Sequence, residues 1–432
     1  MKKAASFALG CKVNQYESEA IAELFQEKGY EIVGIDEEAD VYVINTCTVT
    51  NFGDKKSRQL IRKVKRQNEN AIVCVVGCYA QTAPQELEKV EGVNLVLGTK
   101  DRAQIVEMVE NYKVENGVES HVSDIMKERL FEPLSIQKLA NRTRAYLKIQ
   151  DGCSQFCSYC IIPYARGPIR SRDPQDVLAE VKRLAENGFK EVVLTGIHVA
   201  SYGKDRRDTS LIEILRQVHE VEGIDRIRFS SIEPNVVTEE FAQAIADMPK
   251  VCDHFHLSLQ SGCDKTLKEM NRKYDTEKYR QAAATLRKYL PEVALTTDII
   301  AGFPGETEED FQASYDFAKE IGFAKIHAFP YSPKKGTPAA ARKDQLLNAV
   351  KADRSHRLIE LSDKMADDFI QAYVGREVEV LFERAIGEGV YEGHTTNYIK
   401  VKATSEKDLT NVICPVAVTK AENEELFGAA KA

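Results

Sequence analysis

Tyr146-Leu147-Lys148-Ile149-Gln150-Asp151-Gly152-Cys153-Ser154-Gln155-Phe156-Cys157-Ser158-Tyr159-Cys160 sets the reading of the whole chain. Its first part, Tyr146–Gln150, has the character of a short strand and is stopped by Asp151-Gly152. Its second part places three thiols within eight residues, spaced C-x3-C-x2-C. Three thiolates hold three corners of an iron–sulfur cube, and with no fourth Cys close by one iron keeps an open position. Zinc is the alternative, but a structural zinc site closes with a fourth Cys or a His. The nearest downstream His is His198, far outside that spacing. A loop of plain thiols is the third reading.

Working forward, the strand rhythm repeats. Candidate strands are Tyr146–Gln150, Val192–Thr195, Arg226–Ser230, Phe255–Leu259, Ala294–Ile300 and Lys325–Phe329, with helices between them. Asp173-Pro174 caps one helix and Gly188 closes it. Six βα repeats are fewer than the eight of a closed barrel, so residues 141–372 are expected to form a partial, open (β/α)6 barrel. Sites in such barrels lie at the C-terminal strand ends, and the Cys triplet follows the first strand there. Thr195, Gly196, Ser231, Glu233, Gln260, Asp298 and Gly302 belong to the same mouth. The glycines admit close backbone approach. Glu233, Gln260 and Asp298 suit ribose hydroxyls and an amino group, with loop capping as the ordinary alternative. His256 reads as a core histidine, and Cys252 and Cys263 as plain thiols.

Working backward, residues 1–115 also alternate strand and helix. Ala4–Gly10, Val41–Asn45, Ile72–Val76 and Leu95–Leu97 are apolar runs of strand length, which implies a doubly wound parallel sheet. Asn14 with Glu17 resembles a capping pair for the first helix. Cys11, Cys47 and Cys78 each sit just past a strand end, where ligands gather in open α/β sheets. They can therefore converge on a second three-thiol site, although buried Cys is common. Cys74 falls inside a strand and reads as core. Residues 116–140 lose periodicity and read as a linker.

Composition narrows the class. The chain has 432 residues, ten cysteines and a net charge of −8. No apolar run reaches membrane-spanning length, so no membrane partner is expected. Met1-Lys2-Lys3 and the seven residues that follow read as a first strand rather than a signal peptide. Cysteines without export point to a reducing, cytoplasmic setting. The acidic balance argues against general coating of nucleic acid. Lys55, Lys56, Arg58, Arg62, Lys63, Lys65 and Arg66 nevertheless form a local basic face, either a solvated helix side or a phosphate contact.

After a helix near Leu346–Tyr373 the period changes to two, and residues 373–432 read as a small all-β barrel. Arg376, Arg384, His394, Asn397, Tyr398 and Lys400 stand on it, either as an ordinary β-surface or, as the resemblance given below implies, as RNA contacts with Tyr for stacking and cations for phosphate.

The triplet with Gln150-Asp151-Gly152 before it, and Ile161-Ile162-Pro163-Tyr164-Ala165-Arg166-Gly167 and Arg170-Ser171-Arg172 after it, resembles the radical S-adenosylmethionine methylthiotransferases. Cys11, Cys47 and Cys78 match that family's auxiliary-cluster cysteines. Leu9-Gly10-Cys11-Lys12-Val13-Asn14-Gln15-Tyr16-Glu17 is most similar to the MtaB-type branch, which modifies N6-threonylcarbamoyladenosine in tRNA. The other branches act on isopentenyladenosine or on a ribosomal-protein aspartate. The resemblance covers essentially the whole chain.

It implies two 4Fe–4S clusters and S-adenosylmethionine, with Tyr159 against the adenine. It implies radical replacement of the C2 hydrogen by a methylthio group, with no catalytic residue beyond the clusters. The C-terminal barrel resembles the OB-like TRAM module. Partners implied are a tRNA anticodon stem-loop, an electron donor of flavodoxin or ferredoxin type and a sulfur source, acting on a monomer. Lys55, Arg58, Arg62, Arg376, Asn397 and Lys400 are the tRNA candidates. Thr195-Gly196-Ile197 departs from the Gly-Gly-Glu of other radical enzymes, which implies a backbone contact to the methionine amino group. A non-catalytic RNA-binding iron–sulfur sensor is the rival of another class.

Overall fold

The computed structural model describes residues 1–136 and 143–431. The end of the expected linker, 137–140, and the first residues of the expected barrel, 141–142, lie outside the described residues.

The N-terminal unit runs β1 (Lys3–Ala8), α1 (Lys12–Glu27), β2 (Glu31–Ile32), β3 (Val41–Thr46), α2 (Asn51–Gln67), β4 (Ile72–Gly77), α3 (Cys78–Thr82), α4 (Pro84–Leu87), β5 (Leu95–Leu97), α5 (Ile105–Asn111) and β6 (Glu119–His121). The strands pair in parallel in the order β2-β1-β3-β4-β5-β6. β3 is buried at every position, as a parallel strand covered on both faces must be. Ile44, Ile61 and Val75 pack on one face, and Phe25, Val43 and Ile105 on the other. Strand order reverses between β1 and β3, and that reversal opens a crevice at their C-terminal ends.

Two expectations change here. Residues Glu119–His121, inside the expected linker, add a sixth strand beside β5. The first helix starts at Lys12 with no side-chain cap. Asn14 and Glu17 are instead fully buried and turned toward the second unit.

That unit runs β7 (Arg144–Asp151), α6 (Ile162–Arg166), β8 (Arg170–Ser171), α7 (Pro174–Glu186), β9 (Glu191–Gly196), α8 (Leu211–His219), β10 (Arg226–Phe229), β11 (Ser231–Ile232), α9 (Glu239–Ala246), β12 (His254–Leu257), α10 (Asp264–Glu269), α11 (Thr276–Tyr289), β13 (Ala294–Ala301), α12 (Glu308–Ile321), β14 (Lys325–Pro330) and α13 (Asn348–Gln371). β7, β9, β10, β12, β13 and β14 are the six parallel staves of an open barrel. The seam after β10 is joined by the bridge Ile227–Val251 and by β11, which continues β10 and pairs in parallel with β12. Asp173 caps α7 by accepting from Gln175 N, with Pro174 in the first turn, as its sequence predicts.

The C-terminal unit is a closed five-stranded barrel of β15 (Glu377–Gly387), β16 (Val390–Thr395), β17 (Lys400–Thr404), β18 (Ile413–Glu422) and β19 (Glu425–Ala430). It docks on the end of the open barrel opposite the Cys triplet. Arg226 and Arg228, at the start of β10, donate to the carbonyls of His394 and Thr396 at 2.8 and 2.9 Å. Tyr398 sits beneath the staves, beside a cavity of about 590 Å³ lined also by Lys12, His254, His256, His327 and Asp298.

Candidate active site

β7 delivers the first triplet. Gly152 has φ +73°, and a side chain there would meet the Pro168 carbonyl oxygen at 1.8 Å, so the turn out of β7 requires glycine. Cys153 N donates to Gly167 O at 2.9 Å and Cys160 N to Cys157 O at 3.0 Å, which curls the loop on itself. The end of α10 and the residues after it clamp the loop from the far side. Ser158 Oγ donates to Glu269 O at 2.7 Å, and Asn271 Nδ2 donates to Phe156 O at 2.8 Å.

Arg272 completes this clamp. Its Nη1 donates to Cys157 Sγ at 3.2 Å and its Nη2 to Glu233 at 2.7 Å. His198 lies 2.9 Å from the other Glu233 oxygen. Burial would raise the Glu233 carboxyl, but His198 and Arg272 outweigh it and hold it low. Glu233 is thus engaged within the protein.

The second triplet forms at the crevice between β1 and β3. Cys11 follows β1, Cys47 follows β3, and Cys78 opens α3 directly after β4. Gly10 has φ +95°, and a side chain on it would lie 2.6 Å from Cys47 Cβ and 2.7 Å from its Sγ. Cys47 therefore rests on bare backbone beside Cys11. Burial pushes the Cys47 thiol up to about 12, with Cys78 and Cys11 adding to the rise. Arg166, from the end of α6, donates through Nε to Cys78 Sγ at 3.2 Å.

One cavity of about 420 Å³ is lined by Cys160 of the first triplet and, facing it, by the residues that follow Cys47 of the second. Val49 and Thr50, just past Cys47, form one wall. Tyr159, Cys160, Gln260, Asp298 and Ile300 form the other, with Phe329 and Tyr331 above. Across the mouth, Asn51 Nδ2 donates to Pro333 O at 3.0 Å and Asp54 pairs with Lys334. Val49, Phe52 and Phe329 are exposed around the rim.

The donor sets fit iron–sulfur clusters. Each triplet supplies three thiols and one Arg N–H aimed at a sulfur, a contact suited to an anionic, metal-bound sulfur. Among the described residues no three His, Cys, Asp or Glu groups are placed to share a single ion. A cube asks less closeness of its three thiols than a single zinc does, because it gives each sulfur its own iron. Burial pushes the Cys153 thiol up to about 11 and Cys160 up to about 12, so loading must expel protons.

Not every residue expected at the mouth lies there. Tyr159, Gln260 and Asp298 line the cavity. The Thr195 hydroxyl is buried against Val193 O at 3.1 Å. A side chain on Gly196 would meet Gln150 Oε1 at 2.9 Å, and one on Gly302 would meet Lys351 Cγ of α13 at 2.5 Å. Those glycines thus admit protein neighbours. Ser231 lines the opposite cavity of about 590 Å³.

On α2, Lys55 and Arg62 are exposed, while Arg58 is drawn onto Tyr79 OH at 2.6 Å. On the C-terminal barrel, Asn397 is buried and donates to Tyr373 OH at 2.6 Å. Arg376 pairs with Glu292, and Lys400 with Glu392 and Glu425. Arg166 stood inside the quoted motif without a role, and Arg272 carried no sequence signal.

Comparison with known proteins now fixes the family. Residues 147–318 match the radical SAM superfamily, and residues 3–98 match uncharacterized protein family UPF0004. Threonylcarbamoyladenosine tRNA methylthiotransferase MtaB of Bacillus subtilis is 46% identical over 98% of this chain and 94% of its own length. The chain belongs to the radical S-adenosylmethionine methylthiotransferases. The protein of the same name from Aquifex aeolicus is 39% identical over 95% of this methylthiotransferase and 99% of its own length. The tRNA-2-methylthio-N(6)-dimethylallyladenosine synthase of Methylacidiphilum infernorum is 36% identical over 97% and 92%.

Among solved structures, the radical S-adenosylmethionine methyltransferase TsrM of Kitasatospora setae superposes with a TM-score of 0.58 at 16% identity. It covers 79% of this chain and 75% of that one, a likeness of fold. Membership implies that this methylthiotransferase uses S-adenosylmethionine and a 4Fe–4S cluster. No helix among the described residues is long and apolar enough to cross a membrane.

Proposed function

We propose that this enzyme replaces the C2 hydrogen of N6-threonylcarbamoyladenosine in tRNA with a methylthio group, using two clusters. The observation that carries this reading is the cavity lined by Cys160 on one side and by Val49 and Thr50, just past Cys47, on the other. Radical abstraction of an unactivated hydrogen is the chemistry that a cluster with S-adenosylmethionine supplies when bound. The chain's residues seat and orient. Cys153, Cys157 and Cys160 hold the cluster on the barrel side, and Cys11, Cys47 and Cys78 hold a second on the sheet side. Tyr159, Gln260 and Asp298 orient the cosubstrate, with Thr195, Gly196, Ser231, Glu233 and Gly302 shaping the barrel behind them. Val49 and Thr50 bring the sulfur-donor side to the same base.

The exposed cations of α2, Lys55 and Arg62, suit the phosphates of an anticodon stem, and Phe52 and Phe329 suit unstacked bases. Arg58 supports that surface from its bond to Tyr79, while Arg376 and Lys400, with Asn397 buried near them, are offered to a separate part of the tRNA at the other end of the open barrel. Lys335, exposed three residues beyond the wall residue Ser332, is the cation offered to the threonylcarbamoyl carboxylate. An electron donor of flavodoxin or ferredoxin type and a sulfur source complete the reaction, which a monomer in the cytoplasm can perform. The test is an assay on tRNA carrying either threonylcarbamoyl- or dimethylallyladenosine. Methylthio product from the first supports the reading, and product only from the second overturns the substrate.

A further inference from the structure

Among the described residues, Arg166 is the one side chain that reaches from the radical triplet's segment to a sulfur of the other triplet. It ends α6, the helix that begins two residues after Cys160 and packs on α3. The guanidinium is fully buried. Beyond its bond to Cys78 Sγ, Nη1 and Nη2 donate to the two Glu17 oxygens at 2.5 and 2.9 Å, and Nη2 also donates to Asn14 Oδ1 at 2.6 Å.

The surrounding charges do not balance among themselves. Arg102 and Lys148 also pair with Glu17, at 2.5 and 2.7 Å. Lys148 and Arg170 pair with Asp151 at 2.6 and 3.4 Å, and Arg102 pairs with Glu132. Four cations, Arg102, Lys148, Arg166 and Arg170, thus meet three carboxylates, Glu17, Asp151 and Glu132. An uncompensated buried charge is costly. Cys78 Sγ touches the set through Arg166, and bound to iron it would be an anion that supplies the missing negative charge.

A hydrogen bond and a positive charge at a cluster sulfur favour the reduced state, because that state carries more negative charge. We propose that Arg166 is a positioning residue that raises the reduction potential of the cluster at Cys11, Cys47 and Cys78, tying its seating to the segment that holds the radical cluster. This rests on the second cluster proposed above.

The experiment uses full-length enzyme carrying Cys153→Ala, Cys157→Ala and Cys160→Ala, so that only the auxiliary cluster is loaded. Its midpoint potential is read by electron paramagnetic resonance during a redox titration, alongside iron content. Adding Arg166→Gln is expected to move the midpoint to a more negative value, and Arg166→Lys, which keeps the charge but not the Nε–Sγ bond, to move it part of that way. Should Arg166→Gln fail to hold iron, Arg166→Lys decides alone. An unchanged midpoint in a loaded variant overturns the role of Arg166. Absence of iron from the triple-Ala parent overturns the second cluster itself, and this inference with it.

Discussion

Tyr398 of the C-terminal barrel lies between His254 and His394, with ring centroids 5.0 and 4.7 Å away. The Arg228 guanidinium stands over the same ring at 4.6 Å. Tyr398 therefore joins two units and, although 36% exposed, is held by protein partners. Tyr398→Ala should cost about 2 kcal/mol from lost stacking and cation–π contact, read as a lower urea midpoint. The affinity of the folded variant for an anticodon stem-loop should stay at the parental value. A loss of about tenfold (~1.4 kcal/mol) would restore the RNA role.

Lys55 and Arg62 on α2 should behave differently. If each meets one phosphate, replacing both with Ala lowers the slope of log affinity against log salt by about 1.5. Fluorescence anisotropy across a salt series measures it. A slope equal to the parent's would place the RNA elsewhere, and stability should barely change because both residues are exposed.

Gly10 and Gly152 allow the two triplets to be removed one at a time. In Gly10→Ala the new methyl collides with Cys47, and in Gly152→Ala with the Pro168 carbonyl. Each variant should lose about half of the parental iron. Gly152→Ala should also lose formation of 5′-deoxyadenosine, whereas Gly10→Ala should keep it and lose only the methylthio product. Full iron in Gly10→Ala would show that Cys47 holds none.

Glu191 gives the fold an acid limit. Burial would raise its carboxyl, but Arg228 and Arg144 prevail and hold it at about 2. Arg102, Arg166 and Lys148 likewise overcome burial at Glu17 and hold it well below the usual range. An unfolded Glu titrates near ~4.3, so the folded values are depressed. The stabilisation is complete above about pH 5 and is lost as pH falls toward about 2. Glu191→Gln should cost about 3 kcal/mol at neutral pH by stranding two arginines, and it should flatten the fall in urea midpoint between about pH 6 and pH 3. A fall as steep as the parent's would assign the acid limit to other groups.

Much of this was legible in the chain because short-range signals carry it. Apolar runs of three to seven residues gave the buried strands, and the six thiols marked themselves by spacing or by strand ends. Asn14 and Glu17 misled because a polar pair near a helix start looks like a cap, whereas their partner Arg166 lies about 150 residues away. Glu119–His121 was missed because this short edge strand is polar and largely exposed, unlike the equally short but apolar Leu95–Leu97. Arg272 was invisible for a related reason: its contact with Cys157 spans 115 residues. Tyr398 looked like a surface aromatic because nothing local tells a β-turn that it will plug another domain.

Asn51 and Asp54 are bonded across the cavity mouth to Pro333 and Lys334. Those ties make the mouth a frame of set width rather than a jaw. A jaw can draw a substrate in by closing, but a frame admits only what already protrudes. The work of freeing the base then falls on the RNA, and looseness of the loop becomes a selection criterion separate from its sequence. A tRNA whose anticodon loop is stiffened should be refused at the door even when its adenosine carries the right modification.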